Sequence, residues 1–325
     1  MDIPWKGFDM KQGKLEQHNL KNAVFVNLTG AGEQEYIGAG IGMDYSKYGD
    51  IITADGTGNV PSVAFYKAFN NFYCSLGTPQ EIRIEMLLPL KVKESEIKSY
   101  MVQFKQLAEA MKVIIVGGHS EVMAIPKAHF MVTVIGKACP GFVPNRKTIK
   151  PGYDIILVGP SATLGSNQLL IENEEGLLKR FTKSFLDSAV YQDTCHCTKY
   201  MGKLEEWPLF LEDFPICTIH DVSTGGIYQA LWQLGEWMHR GFLVENSKLV
   251  LNQKTIEICE YLDVNPYFLD GSGSVLVVME KGKGFVNRLK KEDISANIIG
   301  TVTEDKERRV RITDQDIRTL SAITP

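Results

Sequence analysis

The stretch Ile216-Cys217-Thr218-Ile219-His220-Asp221-Val222-Ser223-Thr224-Gly225-Gly226 limits what this chain can fold into more than any other. Its apolar run is too short for a helix and reads as a buried strand that ends in a polar, glycine-rich turn. Ile227, Leu231, Leu234 and Met238 then recur at i, i+4, i+7 and i+11, the period of a helix with one face in a core. Ser223 or Thr224 is placed to cap the helix, and Gly225 and Gly226 allow close approach to its free backbone N–H groups. Such a helix start favours phosphate, whereas Asp221 repels it unless a cation lies between. Phosphate together with Mg²⁺ satisfies both. A plain strand–turn–helix with a capping Asp is the competing reading of this stretch.

The same arrangement is read twice more. Ile51-Ile52-Thr53-Ala54 is a strand delivering Asp55 into the turn Gly56-Thr57-Gly58-Asn59. Val113-Ile114-Ile115-Val116 is a strand ending in the polar turn Gly117-Gly118-His119-Ser120-Glu121-Val122. Gly38-Ala39-Gly40-Ile41-Gly42 leads to Asp44 but lacks the strand and helix of a dinucleotide fingerprint, so that reading is rejected. Phe65, Phe69, Phe72 and Leu76, with Tyr66 and Tyr73, predict a helix whose aromatic face is core or subunit interface. A strand over Ile82 to Leu90, a helix over Glu96 to Met111 and a strand over Phe130 to Ile135 follow.

Pro140, Gly141, Pro144 and the basic Asn145-Arg146-Lys147 mark a boundary. Two domains, 1–145 and 146–325, suit a chain of 325 residues. The second half is read as strands at Asp154 to Val158, Val275 to Met279 and Ile298 to Val302. Helices are expected at Thr255 to Leu262 and around Phe285 to Leu289, with a small-residue turn at Gly159 to Gly165.

Other classes are disfavoured. A formal charge of −4 is wrong for a surface that neutralises nucleic-acid phosphates. No apolar run approaches the roughly 20 residues of a spanning helix, and the start Met1-Asp2-Ile3-Pro4 does not read as a signal peptide. Six cysteines scattered over this length make no disulfide framework, and a reducing cytoplasm is expected. Cys195-His196-Cys197 has the wrong spacing for a zinc site and lacks a second cluster.

Taken together, Ala54-Asp55-Gly56, Gly117-Gly118-His119-Ser120, Lys150-Pro151-Gly152 with Ile155-Ile156-Leu157, and His220 to Gly226 resemble the PurM-like superfamily in order and spacing. Gly271-Ser272-Gly273-Ser274-Val275-Leu276 and Ile298-Ile299-Gly300-Thr301-Val302 resemble its closing strands. The resemblance runs from about Gly38 to Val310. It implies an AIR synthase-like, two-domain α/β (α+β) fold, with an amino-terminal mixed-sheet dimerisation domain and a carboxy-terminal α/β domain. It also implies an ATP-dependent enzyme that activates an oxygen of a small or protein-borne substrate by phosphorylation. Carried onto this sequence, the cofactor-binding residues are Gly117, Gly118, His119, Asp221, Gly225 and Gly226, and the Mg²⁺ ligands are Asp44, Asp55 and Asp221. A homodimer and a maturation partner protein are implied as partners.

Within the superfamily the chain resembles the hydrogenase-maturation protein HypE most, through Asp221 to Glu236 and Thr255 to Glu260. It also departs from HypE. The family's Asn-Asp pair is read here as Asn71-Phe72, without its carboxylate. The Arg of the Asp-Pro-Thr-Arg-Gly-Gly turn is absent from Asp221 to Gly226. HypE carries its carboxamide on a terminal Cys, whereas this sequence closes on Ser321-Ala322-Ile323-Thr324-Pro325, so formation of a protein thiocyanate is not expected. These departures also admit a non-catalytic homologue that binds nucleotide or a partner protein.

Overall fold

A computed structural model describes residues 15, 17–28, 36–38, 40–189, 211 and 213–321. Cys195-His196-Cys197 and residues 322–325 lie outside them. The chain forms two mixed sheets with helices packed on and between them.

The first sheet comprises β1 (Tyr36–Ile37), β2 (Ser46–Tyr48), β3 (Ile51–Gly58), β4 (Thr78–Pro89), β5 (Ile114–Met123) and β6 (His129–Lys137), in the order β1-β2-β3-β6-β4-β5. Helix α1 (Pro61–Tyr73) links β3 to β4, and α2 (Glu94–Ala110) crosses over to the parallel strand β5. Pro61 opens α1 at a position where its missing N–H costs nothing. A capping box between Lys93 and Glu96 opens α2.

The second sheet follows after residue 150. It contains β7 (Asp154–Val158), β8 (Ile216–Asp221), β9 (Gly241–Glu245), β10 (Val275–Met279), β11 (Ala296–Thr303), β12 (Arg308–Arg311) and β13 (Ile317–Thr319), in the order β13-β12-β9-β11-β7-β10-β8. Its helices are α3 (Thr163–Glu172), α4 (Gly226–Met238), α5 (Gln253–Tyr261) and α6 (Lys283–Lys291).

Strand alternation distributes the side chains between two cores. Ile155, Leu157, Leu276 and Val278 face the predicted seam of α4, Ile227-Leu231-Leu234-Met238. Ile156, Val158, Val275, Val277 and Met279 point the other way, into a core that also holds Phe65, Phe69 and Phe72 of α1 and Ile82, Ile84 and Val132 of the first sheet. The aromatic stripe therefore has its partner within the chain. All three phenylalanines are fully buried, and Phe65 stacks on Phe69 at 4.3 Å between centroids. Of the two expectations for the stripe, core and subunit interface, the structure shows core.

Two predicted turns are strands instead. Asp55 to Gly58 continue β3, and Gly117 to Val122 continue β5. Gly56, Gly58 and Gly118 serve close packing, whereas a Cβ on Gly117 would meet nothing within 4 Å. A Cβ on Gly56 would lie 2.2 Å from the Ala68 nitrogen of α1, and one on Gly118 would lie 1.7 Å from the Ile84 carbonyl oxygen of β4. The predicted turn over Gly159 to Gly165 is shorter than expected, because α3 begins at Thr163. Among the described residues, no helix is long and apolar enough to cross a membrane.

Candidate functional site

A cleft of about 890 Å³ opens between the two domains. The first domain contributes Asp44, the end of β3 from Asp55 to Asn59, and Lys67 and Asn71 of α1. The second contributes Ser223, Thr224 and Gly225 at the start of α4, Gln168 and Glu172 of α3, and Phe268 to Asp270. The cleft thus combines the end of one strand with the turn after another.

The predicted residues divide into three groups. Asp55 and Gly225 line the cleft. The Asp55 carboxylate accepts the Thr133 hydroxyl at 2.5 Å, and Asn71 Nδ2 donates to the Asp55 backbone oxygen at 2.8 Å. Gly225, at φ 90°, is the N-cap of α4, and no side chain caps the helix. The expected cap from Ser223 or Thr224 does not form, since the Thr224 hydroxyl turns instead to Lys67 and Asp270.

The second group is close to the cleft but held in the protein. Asp44 lines it, yet one carboxylate oxygen accepts both His220 Nδ1–H at 2.8 Å and the Asp221 backbone N–H at 3.1 Å. The Asp221 carboxylate is buried and accepts Asn70 Nδ2, which also donates to the Ser274 carbonyl at 3.0 Å. Gly226 packs beneath the turn, where a Cβ would meet the Tyr267 carbonyl at 2.3 Å.

This buried cluster perturbs its neighbours. Desolvation raises the Cys74 thiol well above its ordinary value, and the Asp44 and Asp221 carboxylates add to the rise. Burial likewise raises the Tyr45 phenol, reinforced by Cys74 and Asp44. His220 Nε2 is buried with no hydrogen-bond partner among the described residues.

Gly117, Gly118 and His119 form the third group. They lie on the edge strand β5, three strands from β3, roughly 14 Å at about 4.8 Å per strand. His119 is exposed, with Glu121 at 3.4 Å, and none of the three lines the cleft of its own chain.

The resemblance placed the missing carboxylate at Phe72, but that side chain is fully buried in the core. Asn71, one residue earlier, is the α1 residue facing Asp55 and the cleft. Asn70 is buried against Asp221, so α1 presents the amide of Asn71, not a carboxylate, beside Asp55.

Sequence reasoning missed Lys67 and Asp270. Lys67 Nζ reaches Asp270 at 2.8 Å and the Thr224 hydroxyl at 3.1 Å, tying α1 to the second domain. The other Asp270 oxygen accepts the Ser272 backbone N–H at 3.0 Å and its hydroxyl at 2.6 Å.

Among the described residues, no three His, Cys, Asp or Glu side chains converge to hold a metal ion. Two open carboxylates, Asp55 and Glu172, line the cleft, and so few suit a cation shared with an anionic ligand, the usual manner of Mg²⁺, better than a cage made by protein alone. Chemically, the cleft offers carboxylates, an ammonium group, amides and hydroxyls around a space of ligand size.

Comparison with known proteins gives this arrangement its relatives. The family model for the AIR synthase related protein C-terminal domain matches residues 150–313. The HypE–HypF complex contains a chain with a similar fold, at TM-score 0.66 and 18% identity, covering 86% of this chain and 92% of that one. HypE in complex with ATP gives TM-score 0.69 at 16% identity, covering 95% and 92%. AaThiL complexed with AMPPCP and TMP gives 0.67 at 16%, covering 96% and 99%. No curated protein matches the chain.

Proposed function

The chain belongs to the AIR synthase related protein family, and we propose from that premise that it binds ATP with Mg²⁺ in the interdomain cleft and phosphorylates an oxygen of a small or protein-borne substrate. The observation carrying this reading is the meeting of Asp55 with Ser223-Thr224-Gly225 across one cleft. The same fold holds ATP in HypE, and AMPPCP with TMP in AaThiL, which supports a nucleotide here.

Phosphoryl transfer asks mainly for positioning and charge stabilisation, with little covalent work from side chains. Asp55 would hold Mg²⁺, and the start of α4 would present N–H groups to phosphate. Mg²⁺, when bound, would neutralise charge on the phosphate oxygens. Asp44, held by His220 and Asp221, would set the geometry of the turn beneath the nucleotide. Division at 145 and 146, and a cytoplasmic location with Cys74, Cys139, Cys217 and Cys259 as free thiols, belong to the same proposal.

The proposal includes a homodimer joined through β5, whose Ile114, Val116 and Val122 are exposed at 66%, 47% and 51%. An edge strand with apolar side chains and unpaired backbone groups invites pairing with a second copy. Gly117, Gly118 and His119 would then face the partner protomer. A protein partner is also proposed, since HypE forms a complex with HypF.

Calorimetry with ATP, with and without Mg²⁺, tests the central claim. Failure of ATP to bind at millimolar concentration with Mg²⁺ present would overturn it. A second reading, nucleotide binding without turnover, is favoured by Asn71, since α1 presents an amide and no acid beside Asp55. ADP formation with water as the default acceptor separates the two.

A further inference from the structure

We propose that Lys67 is a built-in cation of the cleft that contacts the nucleotide phosphates directly, so that polyphosphate binding persists when no divalent cation is present. This rests on the nucleotide reading above and goes beyond it, by assigning part of the charge neutralisation to a side chain.

Lys67 and Asn71 are one turn apart on α1 and both line the cleft. A free surface lysine would hold its charge loosely in water. Lys67 is instead largely enclosed, with a side-chain exposure of 15%, and is pinned by Asp270 at 2.8 Å and Thr224 at 3.1 Å. Its rotamer freedom is therefore already restricted before a ligand arrives.

The ammonium group carries three donors. Asp270 and Thr224 take two of them, and the third has no protein acceptor among the described residues. Asp270 is itself well supplied with donors: Lys67, the Thr224 hydroxyl, and the Ser272 N–H and hydroxyl. Its charge is bound up in that network, which fixes the lysine and leaves one N–H for an anion in the cleft.

The acidic side of the cleft supports the same conclusion. Asp44 is engaged by His220 and the Asp221 N–H, and Asn71 is neutral. Asp55 and Glu172 remain as carboxylates lining the space, too few for a metal cage made by protein alone. A cleft with few metal ligands and a fixed lysine relies on that lysine for part of its phosphate recognition.

ATP titrated calorimetrically into the full chain, once with EDTA and once with Mg²⁺, provides the test. The unmodified protein is expected to bind in both. Lys67→Met should weaken binding in EDTA by about tenfold or more, the size of one charge-assisted hydrogen bond. Its loss in Mg²⁺ should be smaller, and Lys67→Arg should retain most of the EDTA binding. If Lys67→Met fails to fold because Asp270 loses its partner, Lys67→Met with Asp270→Asn removes both charges and is expected to lose the EDTA binding in the same way.

Binding by the unmodified protein only in Mg²⁺ would overturn the role of Lys67 and leave the nucleotide reading standing. Equal losses in both conditions would show a merely structural tie between domains and would also overturn it. No binding in either condition would overturn the nucleotide reading itself.

Discussion

Replacing Phe69 by Ala should destabilise both domains together. Phe69 is fully buried and stacks on Phe65 at 4.3 Å, with Tyr73 tilted against it at 6.1 Å. Its core also contains Val275 and Val277 from the second sheet. Removing a buried phenyl ring forfeits its transfer free energy and leaves a cavity, together about 3–5 kcal/mol. The aromatic stacking places the expectation in the upper half of that range. A loss of this size is a large fraction of the roughly 5–15 kcal/mol that stabilises a domain.

Urea unfolding followed by tryptophan fluorescence is the assay. Trp232 and Trp237 lie on α4, in the second domain, while the mutation lies in the first. If the two sheets share a core, the tryptophan signal must shift to lower urea along with the circular dichroism. A loss below about 0.5 kcal/mol, the range of ordinary surface changes, would refute the reasoning. A fluorescence transition that stays in place while another probe moves would refute it too.

Three further outcomes are expected. Asn71→Asp should tighten Mg²⁺-dependent ATP binding about tenfold by adding a carboxylate beside Asp55, even though it loses the 2.8 Å hydrogen bond to the Asp55 carbonyl; calorimetry showing unchanged or weaker binding would exclude a metal role for this position. Cys74 should remain unalkylated by iodoacetamide in the native protein near pH 8, because burial and two carboxylates raise its pKa and deplete the thiolate, and should react once urea unfolds the chain. Peptide mapping by mass spectrometry reads this directly, and labelling of native Cys74 would contradict the buried cluster. Sedimentation should find a dimer at micromolar concentration, and a lysine at Ile114 should convert it to monomer; a monomeric unmodified chain would remove the β5 interface.

Much of the fold was legible because its signals are local. The span Asp154–Val158 and the α4 seam can be read from apolar run length and helical period. The glycines misled, since a glycine marks a turn and a close approach equally well. Gly56 lies under α1 and Gly118 beside β4, and neither neighbour is visible from the adjacent residues. The aromatic stripe of α1 posed the same difficulty. Its period announces burial, but whether the covering surface belongs to this chain or another depends on where the second sheet docks.

The site was legible only at the level of which carboxylates lie near strand ends. Whether each carboxylate can meet a ligand depends on partners far along the chain. Asp44 is engaged by His220, 176 residues away, and Asp221 by Asn70, 151 residues away. Lys67 was hidden for the opposite reason. One charged residue in an aromatic helix reads as its solvent face, and only contact with Thr224, 157 residues later, turns it inward. The first effect leaves fewer unengaged carboxylates facing the cleft, and the second places an ammonium group there beside its counter-charge Asp270. An anionic ligand in the cleft would meet Lys67 and the start of α4 as donors, whereas the acidic motifs by themselves would suit a bare cation.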